Sequence, residues 1–80
     1  METKTVPKKN ATLNKLGGRI RRRRRELGLT LLQLAKKAML SKTYLCDLEH
    51  GRQEPGMGTC DRLAQALGLS LNFLIRGKYR

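Results

Sequence analysis

Six arginines fall within seven positions, Arg19 and Arg21–Arg25. Guanidinium groups stay charged at physiological pH and present a planar fork of donors that matches phosphate and carboxylate oxygens, so this run is the first candidate for chemistry. A second is the pair Cys46 and His50, four residues apart, with Cys60 further on. On one helix face a thiolate and an imidazole at that spacing can share a metal ion. One reading of these residues is therefore a metal- or thiol-responsive sensor. The other is a small side chain at Cys46, a packed Cys60 and a His50 that meets phosphate, and the spacing leaves both open. Catalysis has little to stand on: the pattern offers no nucleophile beside a base and no paired carboxylates, and a lone histidine does not make a site. No enzyme activity, cofactor, bound metal or small-molecule substrate is expected.

The positioning of these groups begins with charge. The 80 residues hold 18 Lys+Arg and 6 Asp+Glu, a formal net charge of +12. Residues 1–25 carry three quarters of it, with ten basic residues against Glu2, whereas the remainder has eight basic and five acidic residues. Such a block draws in polyanions, whether a phosphate backbone, an anionic lipid surface or an acidic protein. From this length one small domain is expected, without a separate cofactor or ligand-sensing domain. No apolar run approaches the roughly 20 residues of a membrane span, and the first twelve residues lack the apolar block of a signal peptide. A soluble, cytoplasmic protein is expected, with two free cysteines.

Hydrophobic spacing supplies the elements. Leu13, Leu16, Ile20 and Leu27 recur at helical offsets and predict a helix over 13–27, capped by Thr12 and ended by Gly28. Arg24 lies on that apolar stripe and should seek a carboxylate, while the other arginines are expected to point outward. Thr30 opens a second helix with Gln33 at the capping-box position. Ser41 opens a third, in which Tyr44, Leu45 and Leu48 face inward and Gly51 is the stop. Only Met39 and Leu40 separate these two helices. A fourth helix is expected from about Thr59 to Leu67, and a fifth over 71–76 behind Ser70. The reading is all-α with five short helices: residues 1–11 a flexible basic arm, 12–77 the folded domain, and 78–80 a basic tail.

A helix, a tight turn and a second helix within about twenty residues is the arrangement that can enter a DNA major groove. The runs Leu27-Gly28-Leu29-Thr30, Leu34-Ala35, Ser41-Lys42-Thr43-Tyr44-Leu45, Leu48-Glu49-His50-Gly51 with Pro55, and Leu63 to Leu71 follow one another at telling intervals. Over Leu16–Ile75 the chain resembles the lambda-repressor-like, XRE-type helix-turn-helix family of phage repressors, Cro proteins and bacterial transcription regulators. The resemblance implies a DNA-binding regulator, usually a homodimer on a palindromic operator, with the third helix in the major groove.

By that resemblance Ser41, Lys42, Thr43 and Asp47 face base edges. Residues 42, 43, 46 and 47 do lie opposite Tyr44, Leu45 and Leu48. Lys42 can donate to guanine, Thr43 can bond a base or touch a thymine methyl, and Asp47 can accept from cytosine N4 if it escapes phosphate repulsion. Phosphate contact is expected of Arg19, Arg21 and Arg22, of Tyr44, which also suits the core, and of His50 and Arg52 with Gln53 beside them. Lys8 and Lys9 of the arm are further candidates. The family also pairs a buried glutamate with an arginine of the first helix, which selects Glu49 and Arg24 as a structural ion pair. Met57, Leu71, Phe73, Leu74 and Ile75 exceed what a short final helix needs and form either a dimer interface or a cap on a monomer core. Two positions depart from the family pattern: Leu31 stands where a phosphate-binding glutamine is common, and Met39 where the turn usually has glycine. The function expected is a repressor binding double-stranded DNA as a homodimer, without membrane association. The alternatives are the sensor on the same fold and an antitoxin-type, protein-binding regulator.

Overall fold

The computed structural model describes residues 6–77, with side chains described from Leu13 onward. The expected tail at 78–80 and the first five residues of the arm lie outside the described residues. Five helices follow in order: α1 (Val6–Glu26), α2 (Leu31–Lys37), α3 (Lys42–Glu49), α4 (Met57–Leu67) and α5 (Leu71–Arg76). The described residues contain no strand.

The caps are where local chemistry placed them. Thr30 Oγ1 accepts from the Gln33 amide at 3.1 Å while Gln33 Oε1 accepts from the Thr30 amide at 2.8 Å, so two orphan N–H groups at the start of α2 are paired. Ser41 Oγ accepts from the Tyr44 amide at 3.1 Å, and Ser70 Oγ from the Phe73 amide at 3.0 Å. Between α2 and α3, Met39 takes the left-handed conformation at φ 58°. That backbone costs a residue with a Cβ about 1–2 kcal/mol. The turn keeps it because the Leu40 amide closes on Ala35 O at 2.8 Å and Arg62 Nε of α4 donates to Ala38 O at 2.9 Å.

Three expectations are corrected. α1 begins at Val6, so residues 6–11, read as flexible arm, are helical, Lys8 and Lys9 belong to the helix, and Thr12 is internal instead of a cap. Pro7 does not oppose this, because in the first turn its missing N–H would have had no partner. α4 starts at Met57, two residues before the expected Thr59, behind Gly56. Leu27 leaves the apolar stripe and is 42% exposed, because α1 ends at Glu26 and the chain turns away at Gly28.

The core is aliphatic. Ile20, Leu34, Ala35, Ala38, Leu45, Leu48, Leu63, Ala64, Leu67 and Leu74 are buried together, with Leu16, Leu31, Tyr44 and Leu71 packed against them. α1 lies across α3 on one side and α4–α5 on the other. Gly17 sets how closely α1 and α3 approach, since a Cβ there would land on the carbonyl oxygens of Leu48 and Glu49. A glycine inside a helical pattern often marks such an approach, and Gly17-Gly18 is the signal that could have disclosed it.

Candidate nucleic-acid interface

Helix α3 is anchored on one side and open on the other. Leu45 and Leu48 enter the core, and Glu49 beside them is only 3% exposed. A buried carboxylate needs a partner, because the low-dielectric interior penalises an unpaired charge. Arg24 supplies it in bidentate form, with Nε 2.7 Å from Oε2 and Nη2 3.0 Å from Oε1. The remaining Nη1 donates to Leu29 O at 3.0 Å, which ties the ion pair to the segment entering α2. The bond from Glu49 holds the Arg24 guanidinium above its ordinary range against the opposing effect of burial. The arginine on the stripe and the glutamate on α3 thus meet, and they fix how α3 lies against α1.

The open side begins with Ser41, Lys42 and Thr43, all exposed at the amino end of α3. Tyr44 is half-buried, its ring against the core. One turn on from Thr43 stands Asp47, also half-buried, whose Oδ1 accepts from Arg52 Nη1 at 3.2 Å. His50 Nδ1 lies 2.8 Å from the Cys46 carbonyl oxygen. A carbonyl can only accept, so Nδ1 carries the proton and Nε2 is left for an outside partner. Arg52 and Gln53 follow, exposed in the loop. Ser41, Lys42, Thr43, His50, Arg52 and Gln53 therefore flank a single ridge of α3 and its trailing loop.

Cys46, His50 and Cys60 are not gathered into one metal-holding group in this geometry. Cys46 Sγ sits 3.7 Å from His50 Nδ1, which is occupied by the Cys46 carbonyl. Cys60 is buried in α4, where burial pushes its thiol up. Among the described residues no group of three His, Cys, Asp or Glu side chains is placed to hold a metal ion.

The arginine run divides by direction, which corrects the expectation that all but Arg24 point outward. Arg19 Nη1 donates to Leu74 O and Ile75 O, each at 3.0 Å, and Arg23 Nε donates to Leu67 O at 3.0 Å. Four residues apart on α1, these two side chains reach the carboxyl ends of α5 and α4. The last carbonyls of a helix lack an intrahelical donor and carry the negative end of its dipole, so a guanidinium fits there on both counts. Arg21 and Arg25 make no ion pair among the described residues, and Arg22, with its side chain 82% exposed, stands 3.6 Å from Glu26. Together with Gly18 and Glu26 these three line a shallow groove on the outer side of α1.

The apolar residues near the carboxyl end also divide. Met57 is 64% and Ile75 39% exposed, and Leu71 and Phe73 are half-buried. Leu74 is in the core, which corrects its assignment to an interface: it stands one turn after the Ser70 cap, on the face that α5 turns inward. Leu31, in place of the family's glutamine, packs against the core instead of offering a polar clamp. Sequence reasoning missed Gly17, Arg62 and the inward turn of Arg19 and Arg23. The last two were hidden because the carbonyls they serve belong to helix ends some 44 and 55 positions away.

Comparison with known proteins bears on this geometry. A helix-turn-helix family profile matches residues 20–74. The immunity repressor protein of Bacillus phage phi105 is 42% identical over 60 residues, which span 75% of this chain and 42% of that protein. The chain thus corresponds to less than half the length of that repressor. Among solved structures, the restriction-modification controller protein C.AhdI from Aeromonas hydrophila superposes with a TM-score of 0.78 at 31% identity, covering 80% of this chain and 97% of that one. The P22 c2 repressor, solved in complex with a synthetic operator, superposes with a TM-score of 0.75 at 30% identity over 79% of this chain and 96% of that one. Five helices in this order, an anchored α3 with an open polar ridge and a profile match through all five place the chain in the XRE-type helix-turn-helix family of DNA-binding transcription regulators.

Proposed function

We propose that the protein is a sequence-specific repressor that binds double-stranded DNA as a homodimer on a palindromic operator. The observation that carries this reading is the two-sidedness of α3: Leu45, Leu48 and the Arg24–Glu49 pair fix its inner face, and Ser41, Lys42 and Thr43 stand exposed on its outer one. A helix held so firmly and left open along a polar ridge suits insertion into a major groove. Lys42 donates to guanine O6 or N7, Thr43 meets a base edge or thymine methyl, and Ser41 lies beside them at the helix start. Arg21 and Arg22 of α1, the Tyr44 hydroxyl, His50, Arg52 and Gln53 contact phosphates. Arg19 leaves that list, because its guanidinium is engaged by the Leu74 and Ile75 carbonyls.

Met57, Leu71, Phe73 and Ile75 form the two-fold contact, which sets two α3 helices about 34 Å apart for half-sites one turn apart. The DNA-bound P22 repressor and the phage immunity repressor support the same reading, and the relatives compared are regulators rather than enzymes. No helix among the described residues is long and apolar enough to cross a membrane. Action in the cytoplasm follows from the role, and neither cofactor nor small-molecule substrate is needed for it.

Selection of bound duplexes from a random pool at about 150 mM salt tests the reading. An inverted repeat should emerge. Lys42→Ala should relax one base position per half-site at about 1–3 kcal/mol, and Arg22→Ala should weaken the selected and an unrelated duplex alike. A pool that stays random at every salt concentration would overturn the proposal.

A further inference from the structure

Asp47 brings a negative charge into the middle of a ridge otherwise made of Ser41, Lys42, Thr43 and His50. Facing a polyanion, an uncompensated carboxylate there would oppose binding to every sequence. It is compensated from within. Arg52 Nη1 reaches Asp47 Oδ1 at 3.2 Å, and the Arg52 amide donates to the Asp47 carbonyl at 2.9 Å, so the loop after α3 folds back and closes a clasp over the helix end. The side chains are unequal in exposure, 62% for Arg52 and 25% for Asp47, which leaves the rest of the guanidinium accessible while the carboxylate is sheltered.

We infer that this clasp determines specificity: Asp47 holds Arg52 away from the phosphates of non-cognate DNA and releases it only where a base offers Asp47 another donor. The inference rests on the DNA-binding reading above. A guanidinium neutralised by its own carboxylate displaces no counterion from DNA, whereas a free one displaces about one. Moving Arg52 to a phosphate on an arbitrary sequence strands Asp47 beside the backbone. A cytosine N4 amino group opposite Asp47 removes that penalty, and both contacts then form together. Asp47 thereby acts as base acceptor and as the positioning residue for Arg52, and the two roles are coupled.

The experiment is a double-substitution cycle of Asp47→Asn and Arg52→Gln, with affinity measured against salt on the selected duplex and on an unrelated one. On the unrelated duplex Asp47→Asn should tighten binding about three- to fivefold and steepen the log–log salt dependence by about 0.9. Arg52→Gln should leave that slope unchanged in the wild-type background and remove the added steepness in the Asp47→Asn background. On the selected duplex Asp47→Asn should give no gain, so the ratio of specific to non-specific affinity falls. Thermal melting of all variants should be close to that of the wild type, since an ion pair with one largely exposed partner adds little to stability. Persistence of the steeper slope in the double variant would overturn the clasp in favour of simple loss of a repulsive charge. An unchanged slope, with one base position relaxed on reselection, would overturn it in favour of plain base reading. Because the slopes are measured on an unrelated duplex, they decide the clasp even if the wild-type protein shows no sequence preference, which would sink the operator reading alone; binding to no duplex at all would overturn both.

Discussion

Helix α1 carries two populations of arginine on opposite flanks. Arg19, Arg23 and Arg24 turn toward the body of the protein, where they meet the carbonyls of Leu74, Ile75 and Leu67 and the carboxylate of Glu49. Arg21, Arg22 and Arg25 turn away and line an open groove. The residue type is the same and the positions interleave, so composition predicts nothing about which arginine does which task. What separates them is the helical angle at which each leaves α1 and what stands opposite: helix ends with unpaired carbonyls, a buried acid, or solvent. A net charge of +12 is therefore a poor measure of the charge offered to a polyanion. Part of it is consumed inside the fold.

This comparison can be broken or sharpened by substitution. The largest effect should come from Arg24→Ala, which strands Glu49 in the core and should cost about 3–5 kcal/mol in chemical denaturation. Replacing both partners with apolar residues of similar volume should recover most of the loss, and failure to recover would mean that the Leu29 bond from Nη1 matters more than the ion pair. Arg23→Ala and Arg19→Ala come next. Each removes a partly solvated, charge-assisted bond to a helix end and should cost about 1–2 kcal/mol, with α5 loosening first under hydrogen exchange and with no change in the salt dependence of DNA binding. If either substitution lowered that salt slope instead, the division into inner and outer arginines would be wrong. Arg21→Ala, Arg22→Ala and Arg25→Ala should move stability least, by under about 0.5 kcal/mol, since they relieve as much like-charge repulsion along the helix as they lose. The signature of the first two should lie in binding, with Arg21→Ala and Arg22→Ala each lowering the salt slope by about one on any duplex.

How far the sequence disclosed this depended on how local the cause was. Thr30 with Gln33, Ser41 and Ser70 act within one turn, and their caps could be read from three-residue intervals. The left-handed Met39 was legible only through the resemblance, because it stands where the family's turn usually has glycine. Arg24 and Glu49 were legible by different routes, the arginine as a charge on an apolar stripe and the glutamate through the family's buried acid at its position. The start of α1 was not: residues 6–11 are too polar to show periodicity, and the helical backbone extends through them regardless. Nor was the pairing of Asp47 with Arg52, since nothing in a five-residue interval across a glycine turn says that the loop folds back. Leu74 and Ile75 are neighbours of one chemistry, and only the packing of α5 decides that the first is core and the second surface.

The bond from Arg62 to the Ala38 carbonyl has a bearing on how such a protein can change over generations. Ala38 closes α2 immediately before the turn into α3, and Arg62 belongs to α4, outside the helix-turn-helix itself. The turn that leads into α3 is thus held from behind, by a side chain outside the helix-turn-helix. Under the proposed function, substitutions at position 62 would shift where Lys42 and Thr43 fall along a groove while those two residues remain as they are, so drift in recognition need not begin at the recognising surface.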